Sequence, residues 1–411
     1  MTGTTAVTRY RWVVLFAVFP MIISTEIMWL SIAPVSSVAQ QFYGVSATSI
    51  DLLSISYMIM FIAFSIPAAW AIDRFGFRPS LIVGALLTAA FGLTRAAFAD
   101  NFTIVLIAQF LIALGQPFLL NISTKVPANW FPIEERSTAA GILTMAQYVG
   151  FAIPMLLSPI LVESHGIPQM MWIYAAIACV SAVVSIALTR ERPAVPPPGP
   201  AVEGETFSAA MFARLFRNGA YVRVLIVCFL SMGIFNTILT VLESILVHLT
   251  SAQAGVIGAV FVLAGVVGAV VLPIISDSRR VRIPFFVMAL SLLTLAYLGF
   301  AFIDSFPVLV VIGAIAGFSI MGVAPILFQH GTEVAYPVHE GTSLGLVLMA
   351  GQVSGILFVL LFEGLTAATS GPLVAMLAIV ALTAAQVPIV RSMRESGLDA
   401  TSQPDGVERS A

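Results

Sequence analysis

The sequence predicts an all-α membrane protein, with twelve transmembrane helices arranged as two pseudo-symmetric six-helix bundles. Three observations predict it. Of 411 residues, 59% are hydrophobic and only 9% charged, against roughly 45–50% and about 25% in soluble domains, so the solvent of this chain is lipid. Apolar runs occur six times before a proline-rich stretch and six times after it. The two halves can also be laid over one another, without gaps around the fourth loop of each, by a single offset of 205 residues.

Taken in order, the runs fall at 12–40, 48–72, 79–98, 102–126, 137–162 and 168–190, then at 220–248, 252–276, 283–303, 306–330, 341–366 and 371–391. Each is long enough for a bilayer that takes about 20 residues per helical crossing. The first run follows Arg9 and Arg11 and reaches Pro34 without a small-residue cleavage site, so it reads as a membrane helix and not as a signal peptide. Four segments follow: an N-terminal bundle over 1–190, a cytoplasmic linker over 191–219, a C-terminal bundle over 220–391, and a disordered polar tail over 392–411. The linker holds Arg190-Glu-Arg-Pro-Ala-Val-Pro-Pro-Pro-Gly-Pro200, which cannot sustain a helix. Beyond it Phe207, Met211, Phe212, Leu215 and Phe216 recur at helical spacing opposite Arg214 and Arg217, as in a helix lying in the membrane interface or extending the next span.

All of the 18 basic residues except Arg95 lie in or beside segments that share one side of the membrane when the N-terminus is cytoplasmic. Lys and Arg are retained on that side, so both termini are expected in the cytoplasm and the location is expected to be the plasma membrane. Arg95 is expected to snorkel to the outer surface.

The repeat pairs Pro132 with Pro337, Glu135 with Glu340, Gln147 with Gln352 and Gly150 with Gly355, while Phe131 falls on Tyr336. A second echo sets Asp73-Arg74-Phe-Gly76-Phe-Arg78 after the second span against Asp277-Ser-Arg279-Arg280 after the eighth. Duplicated bundles about a midplane site are the architecture of alternating-access transporters.

Ala69-x-x-x-Asp73-Arg74-x-Gly76-x-Arg78 resembles the cytoplasmic loop signature of the major facilitator superfamily, with Ala in place of its first glycine. The resemblance implies a gating loop of Asp73, Arg74, Gly76 and Arg78 that latches the halves when the cavity faces outward. These residues read alternatively as positive-inside anchors. A narrower likeness runs through Arg11-Trp-Val-Val, Trp29 with Ser31, Phe42-Tyr-Gly-Val, Asp51-Leu-Leu-Ser54, Pro67-Ala-Ala-Trp70, Gln116-Pro-Phe-Leu-Leu, Trp130-Phe-Pro132, and Glu340-Gly-Thr-Ser343 through Gln352. These segments resemble the feline leukaemia virus subgroup C receptor-related transporters, whose substrates are choline and ethanolamine, with haem also proposed. The resemblance implies substrate contacts at Trp29, Gln116 and Gln352. The family's seventh-span tyrosine has no counterpart in Gly233-Ile-Phe235-Asn236-Thr237, where Phe235 is the nearest aromatic.

Ionisable groups at bilayer depth are costly and usually line a cavity or pair with one another. Glu26 lies one helical turn before Trp29, so the two can share a face. A carboxylate beside an aromatic ring suits a small organic cation; the same Glu could carry a proton, or sit neutral against a hydroxyl. Gln116, Gln147 and Gln352 each offer a donor and an acceptor, with helix-to-helix bonding the expected role of Gln147. Asp51 could cap the second span, Glu243 is a further cavity candidate, and Glu363 and Lys125 read as interfacial.

Several classes are excluded. A net charge of −2 with no basic run gives no footprint for nucleic acid. His165, His248, His330 and His339 form no metal-ligand spacing, so no metal and no catalytic residues are expected. Cys179 and Cys228 read as small core hydrophobes. Without a P-loop or other cofactor motif, no cofactor is expected and direct ATP coupling is out. Asn101-Phe-Thr103 is formally a glycosylation acceptor on an outward loop.

The expected function is a secondary membrane transporter, a monomer in the bilayer, that moves a small polar or cationic solute by rocking its halves. A coupling proton or cation is an open partner. The alternatives are a proton-coupled drug or metabolite antiporter, placed second because Gln109 stands where many proton-coupled members of the superfamily carry arginine and the fifth span lacks their full glycine-proline pattern, and a sensor that binds without transporting.

Overall fold

The computed structural model describes residues 9–193, 214–279, 281–336, 338 and 340–395. The predicted tail beyond residue 395 and residues 207–213 of the predicted interfacial helix lie outside these residues, while 214–217 are helical. Every regular element described is helical. Eleven helical stretches are long and apolar enough to cross a membrane. One of them crosses twice: the helix Ile133–Leu188, at 56 residues, would be about 84 Å long at 1.5 Å per residue, far beyond a hydrocarbon core of about 30 Å. It breaks at Gly166, whose φ of 79° and ψ of 171° lie in a region reserved for glycine. Twelve crossings result, as the apolar runs predict.

The spans are, in order, the first at Tyr10–Tyr43, the second at Ala47–Phe75, the third at Phe77–Ala97 and the fourth at Phe102–Trp130. The fifth and sixth lie on either side of Gly166. After the linker come the seventh at Gly219–Ile245, eighth at Ser251–Arg279, ninth at Ile283–Phe302, tenth at Phe306–Ala335, eleventh at Glu340–Thr369 and twelfth at Leu373–Arg391. Because the count is even, residues 9 and 395 share one end of the bundle, here called the terminal end; the opposite end is the far end.

Physical equivalences support the duplication. After the sixth span, Glu191 accepts hydrogen bonds from the backbone N–H groups of Phe77 (3.1 Å) and Arg78 (2.7 Å) at the start of the third. After the twelfth, Glu395 accepts from those of Arg282 and Ile283, 3.0 Å each, at the start of the ninth. Each half thus ties its last span to its third helix with a carboxylate on a helix N-terminus, where the dipole favours negative charge. The paired glycines behave alike too. A Cβ on Gly150 would lie 2.6 Å from Glu26 Cβ in the first span, and one on Gly355 would lie 3.1 Å from Asn236 Cβ in the seventh. Both therefore permit close approach to the first helix of their own half.

The halves meet along a seam closed at the far end. Gly255 of the eighth span presses on Met155 and Pro159 of the fifth, leaving no room for a side chain. Met58 of the second span lies against Gly355 of the eleventh. Ser37 donates its backbone N–H (2.9 Å) and its hydroxyl (2.6 Å) to the carboxylate of Glu243 in the seventh.

Three expectations are corrected here. Arg95 does not snorkel: it is 1% exposed, and its guanidinium donates to Gln109 Oε1 (2.6 Å) and to the Met28 carbonyl (3.3 Å). The reason is the first helix, which stops at Leu30 and resumes as a short turn at Ala33–Val35. Carbonyls in its last turn lose their i+4 donors, and a buried cation at a helix C-terminus satisfies both the orphan oxygen and the dipole. Gln109 Nε2 donates to the same carbonyl at 3.0 Å. Asp51 does not cap the second span, because Ser46 does so by accepting from the Ser49 N–H; Asp51 lies a turn further in, buried. Glu243 does not line the cavity but serves the far-end seal.

Candidate functional site

Between the halves lies a cavity of about 1410 Å³ whose lining comes from both bundles. Its lining runs to the terminal end, where Asp73, Lys125, Thr138 and Leu344 form its rim. Asp73 and Lys125 are partly solvent-exposed there and paired at 2.6 Å. All six residues expected at the substrate site, Glu26, Trp29, Gln116, Gln147, Phe235 and Gln352, line this one cavity.

The N-terminal half supplies an aromatic wall. Trp29 stacks on Tyr57 of the second span with centroids 6.2 Å apart and meets Phe151 of the fifth edge-on at 5.4 Å. Its Nε1–H donates to the Ser54 carbonyl at 3.0 Å, which fixes the ring and leaves it no polar atom to offer a ligand. Tyr148 packs on Phe151 and extends the wall. Tyr57, Tyr148 and Phe151 are lining residues that sequence reasoning missed. Tyr57 follows Ser54, the carbonyl partner of Trp29, by one helical turn, so its presence beside Trp29 could have been read only with the first and second spans already paired.

Glu26 sits one turn below Trp29, 1% exposed. Gln116 Nε2 donates to both of its oxygens, at 3.2 and 3.4 Å. The amide nitrogen of Gln116 thus faces Glu26. The pair joins the first span to the fourth at the cavity surface.

The C-terminal half is less aromatic. Phe235 stacks on Phe261 at 6.2 Å and shows its other side to the cavity. Asn236 lines the cavity beside it, held by a 3.4 Å bond to the Gly351 carbonyl. Gln352 has no hydrogen-bond partner among the described residues, and neither does Gln147. The helix-to-helix bond expected of Gln147 is thus not formed. Instead the two glutamines, which the repeat places in equivalent positions, reach into one cavity from opposite halves.

The loop of Asp73, Arg74, Gly76 and Arg78 lies at the rim. Gly76 has φ +98° and ψ 169°, and Arg74 lies over the ring of Phe75. The described contacts of Asp73 and of the Arg78 backbone run to Lys125 and Glu191, both in the same half. Among the described residues there is no group of His, Cys, Asp and Glu able to hold a metal ion.

Residues 4–359 match the family model of the Major Facilitator Superfamily. "Solute carrier family 49 member A3" of Danio rerio is 31% identical over 386 residues, a stretch covering 89% of this chain and 80% of that one. "Choline/ethanolamine transporter flvcr2b" of the same fish is 29% identical over 380 residues, 87% of this chain and 78% of that one. "Choline/ethanolamine transporter FLVCR2" of Homo sapiens is 28% identical over 386 residues, 86% and 71% of the two chains. Among solved structures, a bacterial homologue of the human lysosomal transporter Spinster superimposes with a TM-score of 0.68 at 16% identity, covering 93% of this chain and 94% of that one, a likeness of fold. These relatives are transporters and not enzymes. With its twelve spans, its duplicated halves and a match over most of its length, the chain belongs to the major facilitator superfamily of multi-pass membrane transporters, alongside the solute carrier 49 and FLVCR proteins.

Proposed function

We propose that this transporter carries a small organic cation of the choline or ethanolamine kind by alternating access, with the terminal end in the cytoplasm of a plasma-membrane protein acting as a monomer. The observation that carries the reading is the meeting of Glu26 with the wall of Trp29, Tyr57 and Phe151 in a cavity shared by both halves. A carboxylate attracts an ammonium group, and each aromatic face adds about 0.5–2 kcal/mol of cation–π attraction. A hydroxyl on the same solute finds acceptors and donors on Gln147, Gln352 and Asn236. The seal at the far end and the rim at the terminal end correspond to an inward-facing state. The gathering of basic residues near the terminal end supports the cytoplasmic assignment.

In this reading the motion between states separates Ser37 from Glu243 and brings the terminal ends of the halves together. The Asp73–Arg78 loop then exchanges contacts within its own half for contacts across the seam.

The test is thermal unfolding of the purified protein with choline, with ethanolamine, and with the uncharged isostere of choline in which carbon replaces nitrogen. Stabilisation by the amines and none by the isostere supports the reading. Equal shifts from all three, or none, remove it. A proton-coupled antiporter is the second reading, favoured by the burial of Glu26; uptake of the amine that rises with an imposed pH gradient would select it.

A further inference from the structure

The far-end seam holds two sets of carboxyl groups, and they are built differently. Glu243 accepts three hydrogen bonds: from the Ser37 N–H (2.9 Å), the Ser37 hydroxyl (2.6 Å) and the Ser251 hydroxyl (2.6 Å). Asp51 of the second span and Glu363 of the eleventh come from opposite halves; Met58, seven residues after Asp51, lies against Gly355, eight residues before Glu363, so the two carboxyl groups stand at one level on spans that pack together. They are 2% and 7% exposed. Asp51 Oδ2 is buried with no N–H or O–H donor among the described residues.

A hydrogen bond between two carboxyl groups needs a proton on one of them, because two carboxylates are acceptors only. Two like charges in contact at this depth would repel without solvent to screen them. Other charged and titratable groups also lie near this end: Asp100, Glu163 and His165 in its connections, and His248, which faces Asp304 at 3.6 Å. Arg95 is bonded to Gln109 and Met28, Tyr43 donates to the Ala99 carbonyl, Glu26 is held by Gln116 and Glu243 by its serines. The fourth span, also packed on the second, carries no charged residue over Phe102–Leu120.

We propose that Asp51 and Glu363 form a one-proton binding site, assembled when the far end closes and dismantled when it opens. Closing brings two carboxyl groups from different halves into contact and takes up one proton. Opening parts them into water and releases it. Acid on the far side therefore favours the inward-facing state. The inference rests on alternating access, the reading given above, and adds a proton to it at a place outside the substrate cavity.

The experiment uses full-length protein in lipid nanodiscs. Spin labels at Phe98→Cys and Phe302→Cys, exposed far-end positions in the two halves, are introduced after Cys179→Ser and Cys228→Ala, and distances are measured from pH 5 to pH 8.5. The ratio of closed to open is expected to fall by up to about tenfold per pH unit, the linkage of a single proton. Asp51→Asn with Glu363→Gln is expected to abolish the slope. Glu363→Gln alone, whose amide can donate to Asp51 without a proton, serves if the double variant does not fold, and is expected to be flat as well. A slope in the variants equal to that of the unsubstituted pair overturns the site. So does a parent protein whose two distances interchange with choline but ignore pH, which would leave alternating access standing. One unchanging distance under every condition overturns both.

Discussion

Ser37 and Glu243 stand 206 positions apart in the chain, yet the serine gives both its backbone N–H and its hydroxyl to the one carboxylate. Ser37 lies in the first turn of the short helix Ser36–Tyr43, where backbone N–H groups have no partner within the helix, and it gives its own to the seventh span. Charge-assisted hydrogen bonds of this kind contribute about 1.5–3 kcal/mol each. Ser37→Ala, which removes the hydroxyl and keeps the N–H, is therefore expected to shift the balance toward the far-end-open state by about tenfold or more. Labelling of a far-end cysteine by an impermeant reagent checks this, with faster modification expected in the variant.

Trp29 offers an aromatic face while its N–H is spent on Ser54. Trp29→Ala should abolish substrate-induced thermal stabilisation, but it also removes packing worth about 3–5 kcal/mol. Trp29→Phe separates the effects. It is expected to fold and keep part of the ligand response, because a ring remains over the same site. Gln352→Ala, which breaks no observed bond, should lose the ligand response at unchanged basal stability. Melting curves with and without choline decide both.

In the proposed site Glu26 is the carboxyl group that would face the ammonium, and Gln116 can bond to an amide as readily as to a carboxylate. Glu26→Gln should fold normally and weaken binding of a permanently charged amine by about tenfold or more, or about 1.4 kcal/mol. Binding isotherms for choline measure this. Unchanged affinity would assign Glu26 to the scaffold.

Gly76 has φ +98° and ψ 169°, and a Cβ there would run into the carboxylate of Glu191. Gly76→Ala is expected to cost about 1–3 kcal/mol from backbone strain alone and to break the tie between the sixth and third spans. A lowered melting temperature is the readout, with Glu191→Gln as the milder comparison that keeps the backbone unstrained.

The sequence disclosed those features that rest on periodicity and register. Twelve apolar runs give the spans, and the 205-residue offset anticipates that Gln147 and Gln352 occupy equivalent places. The helical interval from Glu26 to Trp29 anticipates their common face. What it concealed depends on tertiary pairing. Arg95 looks like a surface anchor until the break after Leu30 frees a backbone carbonyl for it. Asp51 looks like a cap until Ser46 is seen to fill that role. Glu243 has no evident direction until Ser37 and Ser251 converge on it, and nothing local hints that Asp51 and Glu363 lie on spans that pack together.

The central claim is that the shared cavity carries a cationic solute from one side of the membrane to the other. Counterflow measures it most directly: proteoliposomes loaded with unlabelled choline are diluted into a trace of labelled choline. The account predicts transient accumulation of label above that in protein-free vesicles, lost in Trp29→Ala and reduced in Glu26→Gln. Accumulation no greater than in empty vesicles, with choline or with ethanolamine, would contradict it.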